Sequence, residues 1–319
     1  VSYLEQLRAR VGSRKVIVCY ATALIRDARG QLLFQQRGDF EWWGLPGGVL
    51  ELGETLSECC VREAREETGL HVEPTKLVGV YTGPQYEVRY PNGDEVQQWT
   101  AAFECRVVSG EPRPDGVEAR AQAFFPHGAL PVTARWYADM ARDFFAERDD
   151  AAFEPARADA PNGRGQYVMK LRADFGKEWM IAPGASAIIR NAAGEVLLVR
   201  RADNGRWMIP SGYQDLGESI SETVVREVLE ETGLLVEPAR LVSVTSGPKH
   251  QVIYTNGDPV QLCSATFECR LAGGSLTLDR AEIVEARYFA PQALPQLLNA
   301  GPRARIEHAL RDTPHALFS

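Results

Sequence analysis

The chain has 319 residues, 45% of them hydrophobic and 24% charged, with a formal net charge of -8. That length is generous for one core and suits two domains of about 150 residues. The acidic balance opposes a nucleic-acid duplex as partner, and no apolar run reaches the roughly 18 residues of a membrane span. Small anionic substrates stay open, because a metal ion can supply positive charge locally. The opening VSYLEQLRAR is amphipathic and has no signal-peptide core. Cys19, Cys59, Cys60, Cys105, Cys263 and Cys269 form no CxxC pair and no zinc spacing, and read as reduced core thiols of a cytoplasmic protein.

Taken in chain order, a short helix is predicted over Tyr3 to Arg10, then strands over Ala21 to Arg26 and Gln31 to Gln36. A Gly/Pro loop around Pro46-Gly47-Gly48 leads into one strongly marked helix. Strands follow near Val78 to Tyr81 and Gln97 to Val107, and a helix over Thr133 to Arg148. The order then repeats. LPGGVLELGETLSECCVREAREETGL at 45–70 returns as IPSGYQDLGESISETVVREVLEETGL at 209–234, an offset of 164 that carries Gly48 onto Gly212. The same offset matches Tyr3 with Tyr167, Tyr90 with Tyr254, and Asn92-Gly93-Asp94 with Asn256-Gly257-Asp258. A period this long means whole domains, not a solenoid. We expect domains at 1–148 and 165–319 with a polar, Ala/Pro/Gly-rich linker at 149–164. Helices mixed with strands predict an α/β sandwich with a mixed sheet in each copy.

The marked helix has legible ends. Thr55-Leu56-Ser57-Glu58 is a capping box, repeated as Ser219-Ile220-Ser221-Glu222, and Gly69 and Gly233 stand where a left-handed cap is favoured. At about 100° per residue, Leu56, Cys59, Cys60, Glu63, Glu66 and Glu67 share one face, as do Ile220, Thr223, Val224, Glu227, Glu230 and Glu231. The apolar part should face the body, which keeps the acidic part beside it. The carboxylates repel each other and crowd the helix end that favours cations. Arg62, or Arg226, can pair at i, i+4 with Glu66, or Glu230, but answers only one charge. Clustered carboxylate oxygens suit Mg²⁺ or Mn²⁺, with substrate phosphates completing the shell. A single such cluster reads as a solvated acidic face; two behind the same glycine loop read as sites.

These residues resemble the Nudix box, G-x5-E-x7-R-E-U-x-E-E-x-G-U with U a bulky aliphatic. Copy one supplies Gly48, Glu54, Arg62, Glu63, Glu66, Glu67, Gly69 and Leu70. Copy two supplies Gly212, Glu218, Arg226, Glu227, Glu230, Glu231, Gly233 and Leu234. The resemblance implies two α/β/α sandwich domains in tandem and a MutT-like hydrolase acting on nucleoside diphosphates linked to another moiety. It implies Glu63, Glu66 and Glu67 as ligands of Mg²⁺ or Mn²⁺ with the Gly47 carbonyl, and Glu227, Glu230 and Glu231 with Ser211 in place of Gly47. Arg62 and Arg226 would orient these carboxylates, and Glu54 and Glu218 would support metal or water. The base varies in the family, and Glu118 and Glu282, matched in a downstream loop, are our candidates. Family homodimerisation implies an intramolecular pseudo-dimer of the two copies, or a homodimer of chains.

Substrate readers should lie where the copies differ near the site. Trp42 faces Arg206, Val49 faces Tyr213, Tyr86 faces His250 and Arg89 faces Ile253. We take Trp42, Tyr86, Arg89, Arg206, Tyr213 and His250 as substrate-binding candidates, since aromatics stack on bases and arginine pairs with phosphate. Trp43 and Trp207 match and read as packing. Pro84 and Pro248 resemble a proline of ADP-ribose hydrolases and Tyr86 a tyrosine of diadenosine polyphosphate hydrolases. Nucleotide sugars and nucleoside triphosphates complete the expected substrate types. The competing readings are one active copy with one structural or ligand-sensing copy, a ligand-sensing transcriptional regulator, and an isomerase on the same fold. Intact acids in both copies favour two active sites, and no basic helix-turn-helix segment supports a regulator.

Overall fold

The computed structural model describes residues 1–38, 42–114, 116, 119–157, 166–297 and 300–319. The chain divides into two compact units, Val1–Phe153 with Ser246–Pro248 and Phe318–Ser319, and Glu154–Thr245 with Lys249–Leu317. The boundary falls within the segment expected as linker. Ala151 is buried in the first unit, and Ala152 bridges to Gly79. Residues 158–165, the remainder of that segment with the first residue of the expected second domain, lie outside the described residues.

The first unit runs α1 (Tyr3–Val11), β1 (Val16–Ile25), β2 (Leu32–Arg37), β3 (Trp43–Gly44), β4 (Gly47–Val49), α2 (Leu56–Thr68), β5 (His71–Tyr81), β6 (Glu87–Arg89), β7 (Glu95–Ser109), β8 (Ala119–Phe125) and α3 (Arg135–Phe145). One sheet has the order β4-β1-β7-β5 with β6 added to β7; a second has the order β3-β2-β8. The β1–β7 pair is parallel and its neighbours are antiparallel, so the sheet is mixed. Strand β1 begins earlier than expected, at Val16. It lies between two strands and is buried almost throughout, so VIVCYATALI carries no polar alternation to mark its start.

Helix α2 packs on β1, β4 and β5, and α3 on β5. Leu24, Leu32, Phe34 and Leu45 form the core beneath α3 with its Tyr137, Met140 and Phe144. The expected Gly/Pro loop is partly a strand: Gly47–Val49 pairs antiparallel with β1, Thr22 opposite Gly47 and Tyr20 opposite Val49.

The second unit repeats the order: α4 (Gln166–Phe175), β9 (Met180–Ile189), β10 (Val196–Arg201), β11 (Trp207–Met208), β12 (Ser211–Tyr213), α5 (Ile220–Thr232), β13 (Leu234–Thr245), β14 (Gln251–Ile253), β15 (Pro259–Gly274), β16 (Ile283–Phe289) and α6 (Ala300–Ala309). Its sheets run β12-β9-β15-β13, with β14 on β15, and β11-β10-β16. Ile188, Val196, Leu198, Ile209 and Val242 pack with Ile306 and Ala309 of α6.

Both marked helices are capped as the sequence predicts. The Thr55 hydroxyl accepts from the Glu58 amide at 3.1 Å while the Glu58 carboxylate accepts from the Thr55 amide at 2.8 Å; Ser219 and Glu222 do the same in α5. Gly69 ends α2 at φ 73° and Gly233 ends α5 at φ 71°, the left-handed conformation that glycine adopts without strain. All six cysteines are buried, and none of them is joined in a disulfide. Among the described residues no helix is long and apolar enough to cross a membrane.

Candidate active site

In copy one the centre of the site is Arg62. Its Nε and Nη2 donate to the two oxygens of Glu54 at 2.7 and 2.9 Å, a fork-to-fork pair. Its Nη1 donates to Glu63 at 2.5 Å and Glu66 at 3.3 Å, and Nη2 also reaches the Val49 carbonyl at 3.0 Å. Arg226 repeats the lattice, with Glu218 at 2.6 and 3.0 Å, Glu227 at 2.7 Å, Glu230 at 3.1 Å and the Tyr213 carbonyl at 2.8 Å. The arginine thus answers three carboxylates, and its main partner is the glutamate before the helix. Helical spacing alone offered only the i, i+4 pair, because Glu54 lies before the Thr55 cap and so outside the helix.

The glycine strand is the other half of the site. A Cβ on Gly48 would lie 2.3 Å from the Glu63 carboxyl carbon, and one on Gly212 2.0 Å from that of Glu227. The Glu67 carboxylate, buried behind the strand, accepts from the Gly47 amide at 2.8 Å. Ser211 takes over that role for Glu231 at 3.1 Å, so the side chain at this position leaves the amide bond in place.

Charge is stored unevenly. Burial, opposed by Arg226 and aided by Glu230 and Glu282, pushes the Glu227 carboxyl up to about 7. Burial raises Glu231 well above the usual carboxylate range, with Glu227 and Glu282 adding repulsion. Glu282, a predicted base, is therefore within electrostatic reach of the copy-two acids. Glu118, its counterpart, lies outside the described residues.

Among the described residues no three carboxylate, thiol or imidazole groups already stand together at ligating spacing. Glu63 is turned to Arg62 and Glu67 to the Gly47 amide. The donor chemistry nonetheless fits a hard divalent cation. Every candidate side-chain ligand is a carboxylate, and in copy two their mutual repulsion under burial is the imbalance a cation relieves.

In copy one Glu63 and Glu66 open onto a cleft of about 400 Å³ that also includes Tyr20, Arg37, Trp42, Tyr90, Trp136 and Tyr137. Trp42 meets Trp136 edge-on with centroids 5.6 Å apart, and the Arg37 guanidinium lies 5.7 Å from the Trp42 ring. Trp43 packs instead on Phe125 and Trp207 on Phe289.

Two of the substrate-binding candidates, Tyr86 and Arg89, are not among the residues that line the cleft. Tyr86 is a core residue, 5% exposed, stacked edge-on with Tyr81 and donating its hydroxyl to Asp139 at 3.2 Å. Arg89 is exposed, while its neighbours Val88 and Tyr90 line the cleft, as strand alternation requires. Arg206 is exposed, His250 half-buried, and Tyr213 half-buried with its hydroxyl on Tyr254. The residues that sequence reasoning missed are Tyr20, Arg37, Trp136 and Tyr137. They come from three separate places in the chain, Tyr20, Arg37 and the adjacent Trp136 and Tyr137, and no short spacing links the three.

The NUDIX domain model matches residues 20–146 and again 180–309. The chain is 36% identical over 102 residues to the ADP-ribose pyrophosphatase of Methanocaldococcus jannaschii, covering 32% of this chain and 56% of that one. It is 32% identical over 127 residues to the NAD-capped RNA hydrolase NudC of Erwinia tasmaniensis, covering 39% and 44%. The chain thus spans about half the length of these two relatives. A crystal structure of the MutT NUDIX hydrolase from Burkholderia pseudomallei aligns at 26% identity over 40% of this chain and 98% of that one, with a TM-score of 0.35.

Proposed function

The chain belongs to the NUDIX family, with two hydrolase domains in one polypeptide, and we propose that each copy cleaves a pyrophosphate bond in nucleoside-diphosphate-linked substrates with Mg²⁺ or Mn²⁺. One observation carries this reading. The arginine lattice joining Glu54, Glu63 and Glu66 over a glycine strand is built again, bond for bond, around Arg226.

Glu63, Glu66 and Glu67 would hold the ion in copy one with the Gly47 carbonyl, and Glu227, Glu230 and Glu231 with the Ser211 carbonyl in copy two. A bound divalent ion neutralises phosphate oxygens and lowers the pKa of coordinated water. Arg62 fixes the direction of Glu63 and Glu66, and its own charge is secured by the Glu54 fork. Water adds to phosphorus, the bond from phosphorus to the bridging oxygen breaks, and the water proton passes to a carboxylate. In copy two we assign that proton to Glu282. The Trp42 wall of copy one is a surface for a base to stack on.

The test is a panel of ADP-ribose, diadenosine polyphosphates, nucleotide sugars and oxidised nucleoside triphosphates with either metal. Wild type runs beside Glu66→Gln/Glu67→Gln and Glu230→Gln/Glu231→Gln. Each double variant should abolish one share of the hydrolysis. Wild-type turnover that survives all four substitutions together overturns the assignment.

A further inference from the structure

The two copies differ at many positions around the site, yet each places two tyrosine hydroxyls together. Tyr20 and Tyr90 stand 3.5 Å apart in copy one, and Tyr213 donates to Tyr254 at 2.5 Å in copy two. Tyr90 and Tyr254 are equivalent by the repeat; Tyr20 and Tyr213 are not. Tyr20 corresponds to Gly184, and Tyr213 to Val49.

The register explains the exchange. Tyr20 on β1 is the cross-strand partner of Val49 on β4, and Gly184 on β9 is the cross-strand partner of Tyr213 on β12. The phenol has moved across one register pair to the neighbouring strand and still meets the same partner. Copy two has no room for it on β9, because a Cβ at Gly184 would lie 2.6 Å from the Gly212 carbonyl oxygen.

The pair also has a fixed place in the site. The β4 or β12 member of that register pair gives its carbonyl to the lattice arginine, Val49 to Arg62 at 3.0 Å and Tyr213 to Arg226 at 2.8 Å. In copy one Tyr20 and Tyr90 line the same cleft as Glu63 and Glu66. A purely structural contact would drift with its surroundings. This one is retained by a compensating change on a different strand, which points to the hydroxyl pair itself as the retained feature.

Resting on the hydrolase reading above, we infer that the paired phenols are a substrate-positioning element of both sites, donating a hydrogen bond to an oxygen of the substrate's phosphate chain beside the acidic helix. Burial raises the pKa of Tyr20, with the partner tyrosine adding to it, so it remains a protonated donor at neutral pH.

The test uses the full chain with copy two silenced by Glu230→Gln/Glu231→Gln. Tyr20→Phe and Tyr90→Phe should each raise KM about tenfold, the worth of a hydrogen bond to a charged group, with kcat little changed and the thermal midpoint kept. Tyr20→Gly should lose the same, and Tyr20→Gly/Val49→Tyr, which copies the arrangement of the other unit, should recover it. Calorimetric ADP binding with Mg²⁺ reads the phenols without turnover and should weaken in both Phe variants. Unchanged KM and ADP affinity in the Phe variants overturn the inference, as does a stably folded swap variant that recovers nothing. A parent protein that binds ADP through the phenols but cleaves nothing refutes the hydrolase reading and sustains the phenols as phosphate donors.

Discussion

Gly48 and Glu63 share one space: a Cβ on the glycine would lie 2.3 Å from the carboxyl carbon of the glutamate. The obstructing atoms are the far end of a flexible side chain, so Gly48→Ala is expected to fold and to move Glu63 away from Arg62. We predict a change in stability under about 1 kcal/mol, well below the usual cost of overpacking a core, with copy-one hydrolysis falling at least about tenfold for the displaced ligand. Gly212→Ala should do the same to copy two. Kinetics beside thermal unfolding separates this outcome from simple misfolding.

The two lattice arginines should differ in what they contribute to stability. The Arg226 side chain is 8% exposed and that of Arg62 30%. Removing one partner of a buried ion pair leaves charges uncompensated and costs about 3–5 kcal/mol, whereas exposed pairs are worth under about 1 kcal/mol. Arg226→Ala is therefore expected to lower the denaturation midpoint of its unit clearly more than Arg62→Ala does. Arg62→Lys and Arg226→Lys should keep more stability but lose activity, since an ammonium cannot form the fork with Glu54 or Glu218. Equal midpoints for the two alanine variants would refute the burial argument.

Much of this site could be read from the chain because its information is local. Thr55-Glu58 and Gly69 fix both ends of α2, and the helical period then puts Glu63, Glu66 and Glu67 on one side. What could not be read depends on neighbours distant in sequence. The three-residue strand β6 is too short to reveal its phase, so Arg89 was expected in the cleft that Val88 and Tyr90 line. Tyr86 and His250 differ as a specificity position would, yet Tyr86 faces the α3 core. The Tyr20–Tyr90 pair joins β1 to the residue that follows β6, and only the registers of β1 with β4 and of β9 with β12 show its equivalence to Tyr213–Tyr254.

His250 gives the second unit an acid sensitivity. Burial, with Arg305 and Lys249 nearby, lowers its pKa from 6.5 to about 4. The folded protein then binds fewer protons than the unfolded chain between those values. The stability that depends on neutral His250 is fully present above pH 6.5 and is lost as pH falls toward 4. His250→Gln should flatten this part of the profile. Denaturant midpoints at pH 7 and pH 5 test it, and an equal drop in wild type and variant would place the sensitivity elsewhere.

Metal binding should be visible without any substrate. Burial and mutual repulsion penalise ionised Glu227 and Glu231, and a ligand bound only by the folded state stabilises it by mass action, about 2.7 kcal/mol at a hundredfold excess over Kd. Mg²⁺ or Mn²⁺ is expected to raise the unfolding temperature, and a chelator to reverse the rise. Glu230→Gln/Glu231→Gln should remove the copy-two share of that shift. A rise that persists undiminished in a protein carrying both double-glutamine substitutions would mean that the ions act outside these helices.

Trp42 offers the sharpest contrast between the copies, because its counterpart is the exposed Arg206. In copy one its ring stands edge-on to Trp136 beside Arg37, in the cleft that Glu63 and Glu66 of the acidic helix also line. Stacking a base on such a ring is worth about 1–3 kcal/mol. Trp42→Ala should therefore raise KM for nucleoside-containing substrates about tenfold to a hundredfold in the copy-one reaction, and leave the copy-two reaction unaltered. Inorganic pyrophosphate, which has no base, should inhibit wild type and variant equally if the ring reads the base and not the phosphates. Quenching of tryptophan fluorescence by ADP should shrink in the same variant. If KM is unchanged while the quenching persists, the base lies on Trp136 or Tyr137 instead, and Trp42 serves only to pack them.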